Sequence, residues 1–204
     1  LRRAPDARQA CSEAWGVADP AAGVSVASLR ELLGLISAHE WRKNGVEIPA
    51  LGASPNNRIH PHYGVFSPVR GEYLALVANA LKSRTALTAF DIGTGTGVLA
   101  AVMARSGIPH IVATDLDPRA LACAHDNLQR LGVAQQVQLV QTNLFPQGLA
   151  DVIVCNPPFH AQGSMDRPDI GRAFIVVAAE ALRSGGRLWL VANRHLPYES
   201  VLDA

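Results

Sequence analysis

The sequence predicts an α/β protein built on a doubly wound, mostly parallel sheet. Five short apolar stretches with strand character alternate with helical stretches between residues 89 and 191. The first of these strands runs into a glycine-rich turn, residues 91–97, which opens an apolar helix at residues 98–103. Parallel strands need crossover helices between them. The alternation therefore implies right-handed crossovers, the strand order 3-2-1-4-5, and a ligand above the carboxyl ends of the strands.

Composition sets the size of the protein and excludes some functions. The chain has 204 residues, of which 49% are hydrophobic and 17% are charged, enough for one full α/β domain plus an extension. With 18 basic and 17 acidic residues, the formal net charge is only +1. No global field favours nucleic acid, membranes or acidic substrates, so any affinity for RNA has to come from a local patch.

Cysteine spacing and hydropathy indicate the cellular setting. Cys11, Cys123 and Cys155 are far apart and form no CxxC pair, which predicts neither a zinc site nor a disulfide framework and favours a cytoplasmic protein. No stretch has the length of a membrane span, and the amino terminus lacks an apolar signal-peptide core. We expect no membrane partner. The chain has no initiator Met, so we expect the natural protein to begin earlier.

Residues 1–64 are predicted to form a small amino-terminal extension of helix and β-hairpin. Leu29, Leu32, Leu33 and Ile36 follow helical spacing, with Ser25 or Ser28 as the cap, and this stripe is interpreted as a packing face against the main domain. Residues 46–51 and 58–66 flank a turn rich in Pro and Asn, which predicts a short hairpin with edge strands.

Two histidines of the hairpin raise the question of a metal. His60 and His62 alternate and so face the same side. No third ligand lies nearby in the sequence, and hydrogen-bonded or solvated histidines are far commoner than ligands. We therefore expect no metal site.

Residues 65–204 are predicted to form the main domain. Helical spacing of apolar residues predicts a helix over residues 68–82, ahead of the first strand. The strands that follow are predicted at residues 89–92, 110–114, 136–140, 151–155 and 187–191, and the helices between them at 98–103, 119–131 and 170–182.

The glycine turn and the acids that follow it predict a nucleotide-type pocket. Gly93, Gly95 and Gly97 let the backbone approach a ligand closely. Asp115 ends the second strand about twenty residues later, where a carboxylate can bind both hydroxyls of a ribose. Asp117, followed by a proline, is interpreted as a helix cap. A dinucleotide oxidoreductase could carry the same acid, but Val98 stands where the GxGxxG pattern needs its third glycine.

A second motif follows the fourth strand, at residues 155–160. It reads Cys-Asn-Pro-Pro-Phe-His, with Asn156 at the carboxyl end of a buried strand. Two prolines and an aromatic make a rigid, polar lip beside a flat apolar surface, and the strand order brings this lip next to the glycine turn. His160 could contact a substrate or cap the loop, and both interpretations stay open.

Together these motifs resemble the Rossmann-like S-adenosylmethionine-dependent methyltransferases that act on amino or amide nitrogens. The resemblance covers residues 65–204. It implies that residues 91–97, including Asp91 and Thr94, cradle the methionine part of S-adenosylmethionine and that Asp115 holds its ribose. It implies an adenine contact at Asn143, beside Leu144. The target nitrogen would be received by Asn156, Pro157 and Phe159, with Asn156 also beside the cofactor.

Within that group, four segments resemble the ribosomal RNA guanine-N2 methyltransferases of the small-subunit type: residues 65–67, 142–145, 156–160 and 191–198. The resemblance implies rRNA or a ribosomal subunit as partner. One alternative is a glutamine-amide methyltransferase of release factors, although that group usually has Tyr at the position of Phe159 and a Pro-Arg-Pro motif at residues 67–70. Another alternative is a non-catalytic cofactor-binding module.

Two departures from the ribosomal enzymes concern the ends of the chain. About sixty residues before Val65 cannot hold the degenerate first domain that those enzymes usually carry, so we expect substrate delivery to differ. The fold normally continues through a last antiparallel pair of strands, so we expect the sequence to be incomplete after Ala204. A phosphate-binding patch is a further possibility, and its candidates are Arg70, Lys82, Arg167, Arg172 and Arg194.

Overall fold

The computed structural model describes residues 6–17, 19, 21, 23–24, 26–69, 71–82, 85–156, 168–192 and 198–202. The α-helices within them are α1 (Ala7–Trp15), α2 (Leu29–Asn44), α3 (Glu72–Leu81), α4 (Val98–Arg105), α5 (Pro118–Arg130), α6 (Pro168–Glu180) and α7 (Glu199–Leu202). The strands are β1 (Val46–Glu47), β2 (Arg58–Ile59), β3 (Thr88–Ile92), β4 (His110–Asp115), β5 (Val137–Gln141), β6 (Ala150–Cys155) and β7 (Leu182–Leu190).

The main sheet has five parallel strands in the order β5-β4-β3-β6-β7. Counted along the main domain, this is the predicted order 3-2-1-4-5. The prediction of a doubly wound α/β fold is therefore confirmed. The last strand begins earlier than predicted, at Leu182, which pairs with Ala150 of β6, and the register then shifts between Ala150 and Val152.

Helices cover both faces of this sheet. On one face, α3, α4 and α5 pack over alternate strand residues such as Ala89, Ile111 and Val152. On the other face, Phe174 of α6 packs with Phe90 and other strand residues of the opposite parity. Since side chains alternate along a strand, both faces of the central strand β3 are buried. This burial fits a strand that is apolar except at Thr88 and Asp91.

The amino-terminal extension contains two helices and a hairpin. Ser28 caps α2, since its hydroxyl accepts a hydrogen bond from the Glu31 N–H at 3.1 Å, as predicted. The predicted packing face is wrong for half of its members: Leu29 is 71% exposed and Leu33 55% exposed, whereas Leu32 and Ile36 are half-buried. The side of α2 that packs carries His39, which lies against Glu13 of α1. Helical spacing gives the width of an apolar stripe but does not say which side meets a partner.

The hairpin is shorter than predicted. Its paired strands β1 and β2 have two residues each, and Pro49 begins a short 3-10 helix where the first strand was expected to continue. The chain after β2 docks on α5: the His60 N–H donates to Asn127 Oδ1 at 2.8 Å, and Asn127 Nδ2 donates to the Thr96 carbonyl at 3.1 Å. This buried asparagine thus joins the extension to the glycine turn.

Helix α3 begins at Glu72, four residues later than the predicted start at Pro68. Its buried residues are Leu74, Val77 and Leu81. In the part of the chain that is described, no helix combines the length and apolar character that crossing a bilayer requires.

Candidate functional site

The candidate site lies at the carboxyl edge of the main sheet. Parallel pairing aligns Ile92 of β3 with Cys155 of β6, so the chain leaves both strands at the same level, at Gly93 and Asn156. On the other side, Ile92 aligns with Thr114, one residue before Asp115. The fold therefore brings together three predicted features that are far apart in the sequence: the glycine turn, the acid of β4 and the asparagine of the lip.

The three glycines of the turn have different roles. All three have positive φ: 71° at Gly93, 54° at Gly95 and 79° at Gly97. A Cβ added at Gly93 or Gly95 would meet no atom within 4 Å, whereas one at Gly97 would lie 3.1 Å from Cα and Cβ of Ala124. Gly97 thus permits close packing of the turn on α5. Gly93 and Gly95 present bare backbone to open space, which fits a ligand that approaches the main chain.

Asp91 stabilises the glycine turn through buried hydrogen bonds. Its side chain is completely buried, and Oδ2 accepts hydrogen bonds from the Thr94 hydroxyl at 2.6 Å and the Ala100 N–H at 3.0 Å. Burial raises the pKa of this carboxyl to about 7, against the lowering effect of those two hydrogen bonds. Oδ1 is buried and has no hydrogen-bond partner among the described residues. A contact between Asp91 or Thr94 and a cofactor stays a prediction.

Asp115 lies between two backbone donors. Its Oδ2 accepts from the Gly95 N–H at 3.0 Å, and its Oδ1 accepts from the Asp117 N–H at 3.0 Å. A carboxylate offers about four lone-pair sites, so both oxygens keep capacity for ligand hydroxyls. Asp117 is the cap of α5, as predicted, since Oδ1 accepts from the Arg119 N–H at 2.9 Å.

The segment after β5 is held against β4 by a threonine. The Thr114 hydroxyl donates to the Leu144 carbonyl at 2.8 Å, and Leu144 has a φ of 79°, which is unfavourable for a residue with a side chain. Strained backbone of this kind is concentrated at functional sites. Asn143 is exposed at the same edge. Roles of Asn143 and Leu144 toward a cofactor stay predictions.

Asn156 has a neighbour that the sequence did not single out. Burial raises the pKa of Tyr73, on α3, to about 12, against the lowering effect of the neighbouring Asn156 side chain. Tyr73 therefore stays protonated across the physiological range. Nothing in helical spacing marks Tyr73 as more than a core residue. Tyr73 is recognised as a neighbour of the site only because α3 lies close to the end of β6 in the folded structure.

Several predicted residues lie outside the described part of the chain. They are Pro157, Phe159, His160 and residues 193–197 of the segment 191–198. Of the five candidates for a basic patch, Arg70, Arg167 and Arg194 also lie outside it. The other two are on helices that pack on opposite faces of the sheet, Lys82 at the end of α3 and Arg172 on α6.

The hairpin histidines make hydrogen bonds. His60 Nδ1 donates to the Arg42 carbonyl at 2.7 Å, and His62 Nε2 lies 3.2 Å from Asp126 Oδ2. Among the described residues, no group of three or more His, Cys, Asp or Glu side chains is arranged to hold a metal ion.

Fold and site together define a class: a Rossmann-like, S-adenosylmethionine-dependent methyltransferase domain. The family model of the methyltransferase small domain matches residues 56–204. The chain belongs to that family.

Curated relatives share parts of the chain. The ribosomal RNA small subunit methyltransferase C of Alcanivorax borkumensis is 39% identical over 115 residues, which is 55% of this chain and 34% of that protein. The ribosomal protein L11 methyltransferase of Pelotomaculum thermopropionicum is 44% identical over 103 residues, 50% of this chain and 30% of that protein. The chain thus spans about a third of the length of these relatives.

A solved structure confirms the fold. A methyltransferase from Pyrococcus furiosus matches with a TM-score of 0.58 at 20% identity, over 82% of this chain and 81% of that one.

Proposed function

We propose that this protein is an S-adenosylmethionine-dependent N-methyltransferase that methylates the exocyclic amine of a guanine in ribosomal RNA. The observation that carries the proposal is the register of β3 and β6, which aligns Ile92 with Cys155 and so sets Asn156 beside the glycine turn. The names of relatives such as the small-subunit enzyme of Alcanivorax borkumensis support a ribosomal substrate.

The residues at the carboxyl edge fit S-adenosylmethionine. The open space in front of Gly93 and Gly95 would take its methionine part, and Asp115 would bind its ribose hydroxyls. Asn143 would accept from the adenine amine, next to Leu144. When bound, S-adenosylmethionine supplies an electrophilic methyl group on a sulfonium.

The chemical task of the protein is to orient the target nitrogen. The lone pair of an exocyclic amine is spread into the ring by conjugation, so it must be turned toward the methyl donor. The Asn156 side-chain oxygen and the Pro157 backbone carbonyl would accept the two N–H bonds of the amine. Phe159 would stack on the base. Orientation of this kind can supply about 7–11 kcal/mol of barrier reduction, so no dedicated general base is required.

Tyr73 would hold Asn156 for this role. An amide that donates an N–H to the Tyr73 hydroxyl keeps its oxygen free to accept from the substrate, which fixes one of the two possible orientations of the amide. A tyrosine with a raised pKa does not become charged beside the target amine.

A second candidate substrate is a ribosomal protein. The observation that favours it is the 44% identity with the L11 methyltransferase of Pelotomaculum thermopropionicum. The same edge of the sheet could present an amino group of a protein to the methyl donor.

Transfer of labelled methyl groups separates these candidates. The protein is incubated with S-adenosylmethionine labelled in the methyl group and, in parallel, with rRNA, intact small subunits, protein L11, release factor and DNA. We expect label in RNA or small subunits, recovered after digestion as N2-methylguanosine, and none with the Asn156→Ala variant. Label in L11 or release factor instead, with RNA unlabelled, would contradict the proposed substrate.

A further inference from the structure

A second cleft lies at the carboxyl-terminal end of α5. It has a volume of about 350 Å³ and is enclosed by α1, α2, the segment after β2 and the carboxyl-terminal half of α5. All side chains that line it are polar. We call it the basic cleft and define it by Glu13, Arg42, Lys43, His62, Asp126 and Arg130.

The two carboxylates of the basic cleft are already engaged by histidines. Glu13 Oε2 lies 3.0 Å from Nδ1 of His39, and Asp126 Oδ2 lies 3.2 Å from Nε2 of His62. Each acid therefore has a partner within the fold.

The three strong bases of the cleft are far less engaged. Lys43 and Arg130 form no ion pair with any described residue, and Arg42 lies only within 3.7 Å of Glu13. The pKa of His62 reflects this local charge. Burial lowers it most, Arg42 and Arg130 lower it further, and Asp126 raises it. Three permanent cations against two carboxylates leave one excess positive charge in the cleft, in a protein whose net charge is only +1.

The shape of the fold connects this cleft with the candidate active site. Helix α5 begins three residues after Asp115 and ends at Arg130 in the cleft. Its 13 residues span about 20 Å at 1.5 Å per residue. A stacked nucleic-acid strand advances about 3.4 Å per nucleotide, so about six nucleotides cover that distance. An extended polyanion can reach both ends of α5, whereas a small anion cannot.

We propose that the basic cleft binds backbone phosphates of the RNA substrate, at the opposite end of α5 from Asp115, while the base would be methylated at the carboxyl edge of the sheet. The inference rests on the proposed function for the identity of the RNA. It assigns the amino-terminal extension a part in substrate binding, through Arg42 and Lys43 of α2, together with Arg130 of the main domain. The interaction would be independent of sequence, because phosphates carry no base information.

Salt dependence of RNA binding tests the proposal. Fluorescence anisotropy with a labelled single-stranded RNA of mixed sequence is measured between about 50 and 200 mM salt for the parent, Lys43→Gln and Arg130→Gln. Each variant should bind several-fold more weakly at low salt. The slope of log affinity against log salt should become shallower by about 0.7 for each phosphate that the variant no longer neutralises. Affinity for S-adenosylmethionine should not change.

Arg30→Gln is the matched control, since Arg30 is an exposed arginine of α2 outside the cleft and should leave affinity and slope unaltered. His62 gives a local readout: bound phosphate beside it should raise its pKa, followed by NMR titration with and without the RNA. Parental slopes in both cleft variants would overturn the proposal. Inorganic phosphate that binds in the cleft without weakening RNA binding would also overturn it.

The test separates this inference from the proposed function. If RNA is methylated but the cleft variants bind it like the parent, the cleft proposal fails and the function stands. If the cleft variants lose RNA affinity while methyl transfer goes to protein L11, the cleft stands as an RNA-binding site and the proposed substrate fails.

Discussion

The carboxylate of Asp115 accepts a hydrogen bond from the backbone N–H of Gly95 at 3.0 Å, across twenty positions of the sequence. The end of β4 is thereby tied to the glycine turn after β3. Since the acid predicted to hold the ribose also fixes the turn predicted to hold the methionine part, the two halves of the cofactor site form one unit. A change at Asp115 is expected to disturb both.

Replacing Asp115 by Ala should weaken S-adenosylmethionine binding by about tenfold to a hundredfold, the range expected when a hydrogen bond to a charged group is removed. Calorimetry with S-adenosylmethionine measures this, and NAD should not bind to either protein. Asp117→Ala is the matched control, because it removes the neighbouring acid that caps α5. It should cost about 0.5–2 kcal/mol of stability with cofactor affinity unchanged. Equal affinities of Asp115→Ala and the parent would contradict the ribose assignment.

The order of elements could be predicted from the sequence because each element carries its own periodic signal. Strand β3 and helix α4 are buried along almost their whole length, and α5 has its cap at Asp117. The buried face of α2 could be predicted only in part, because Leu29 and Leu33 have the right spacing and yet are exposed. Spacing describes a stripe, whereas burial depends on what packs against it.

The candidate site could be predicted only as separate motifs. Glycines, acid and asparagine each follow a strand, and the strand order alone implies that they meet. Interactions between side chains distant in sequence carry no such signal. Tyr73 beside Asn156 and Asn127 beside Thr96 depend on how α3 and α5 lie on the sheet, which the local sequence does not encode.

Gly97→Ala should destabilise the protein by about 2–4 kcal/mol. A left-handed residue with a Cβ costs about 1–2 kcal/mol, and the added methyl group would crowd Ala124, which lies 3.1 Å away. Urea unfolding measures the change. Gly107→Ala is the matched control, since its φ is +92° and an added Cβ would meet no atom within 4 Å. Gly107→Ala should lose only the stability that the left-handed conformation costs, about 1–2 kcal/mol. Equal losses of stability in the two variants would show that packing on Ala124 contributes nothing.

The pH dependence of stability should change when Asp91 is replaced by Asn. Burial raises its folded pKa to about 7 from the ordinary value of 3.8. Between these values the folded protein holds a proton that the unfolded chain has released. This contribution to the free energy of unfolding is therefore fully present below about pH 4 and is lost as the pH rises through about 7.

The Asp91 contribution to the free energy of unfolding is at most about 4 kcal/mol, because each unit between its folded and ordinary pKa values adds about 1.4 kcal/mol. Urea unfolding at several pH values between 4 and 8 should give a difference between parent and Asp91→Asn that changes across this window. The other carboxylates with shifted pKa values, such as Glu13 and Asp151, are shared by both proteins and cancel in the difference. A constant difference at all pH values would mean that Asp91 is charged throughout.

Asn156 should act on methyl transfer and hardly at all on cofactor affinity, because it projects from the end of β6 while the bare backbone faces the cofactor from the end of β3. Asn156→Ala removes an acceptor that orients the lone pair, so the single-turnover rate at saturating S-adenosylmethionine and RNA should fall at least about a hundredfold. Asn156→Asp should recover part of the rate, since a carboxylate oxygen still accepts from the amine, although its charge costs desolvation in a closed pocket.

The control is Asn79→Ala, which should transfer methyl groups at the parental rate. Asn79 lies on α3, and among the described residues its side chain bonds only Lys82. A near-parental rate for Asn156→Ala would refute the orientation mechanism and direct attention to His160.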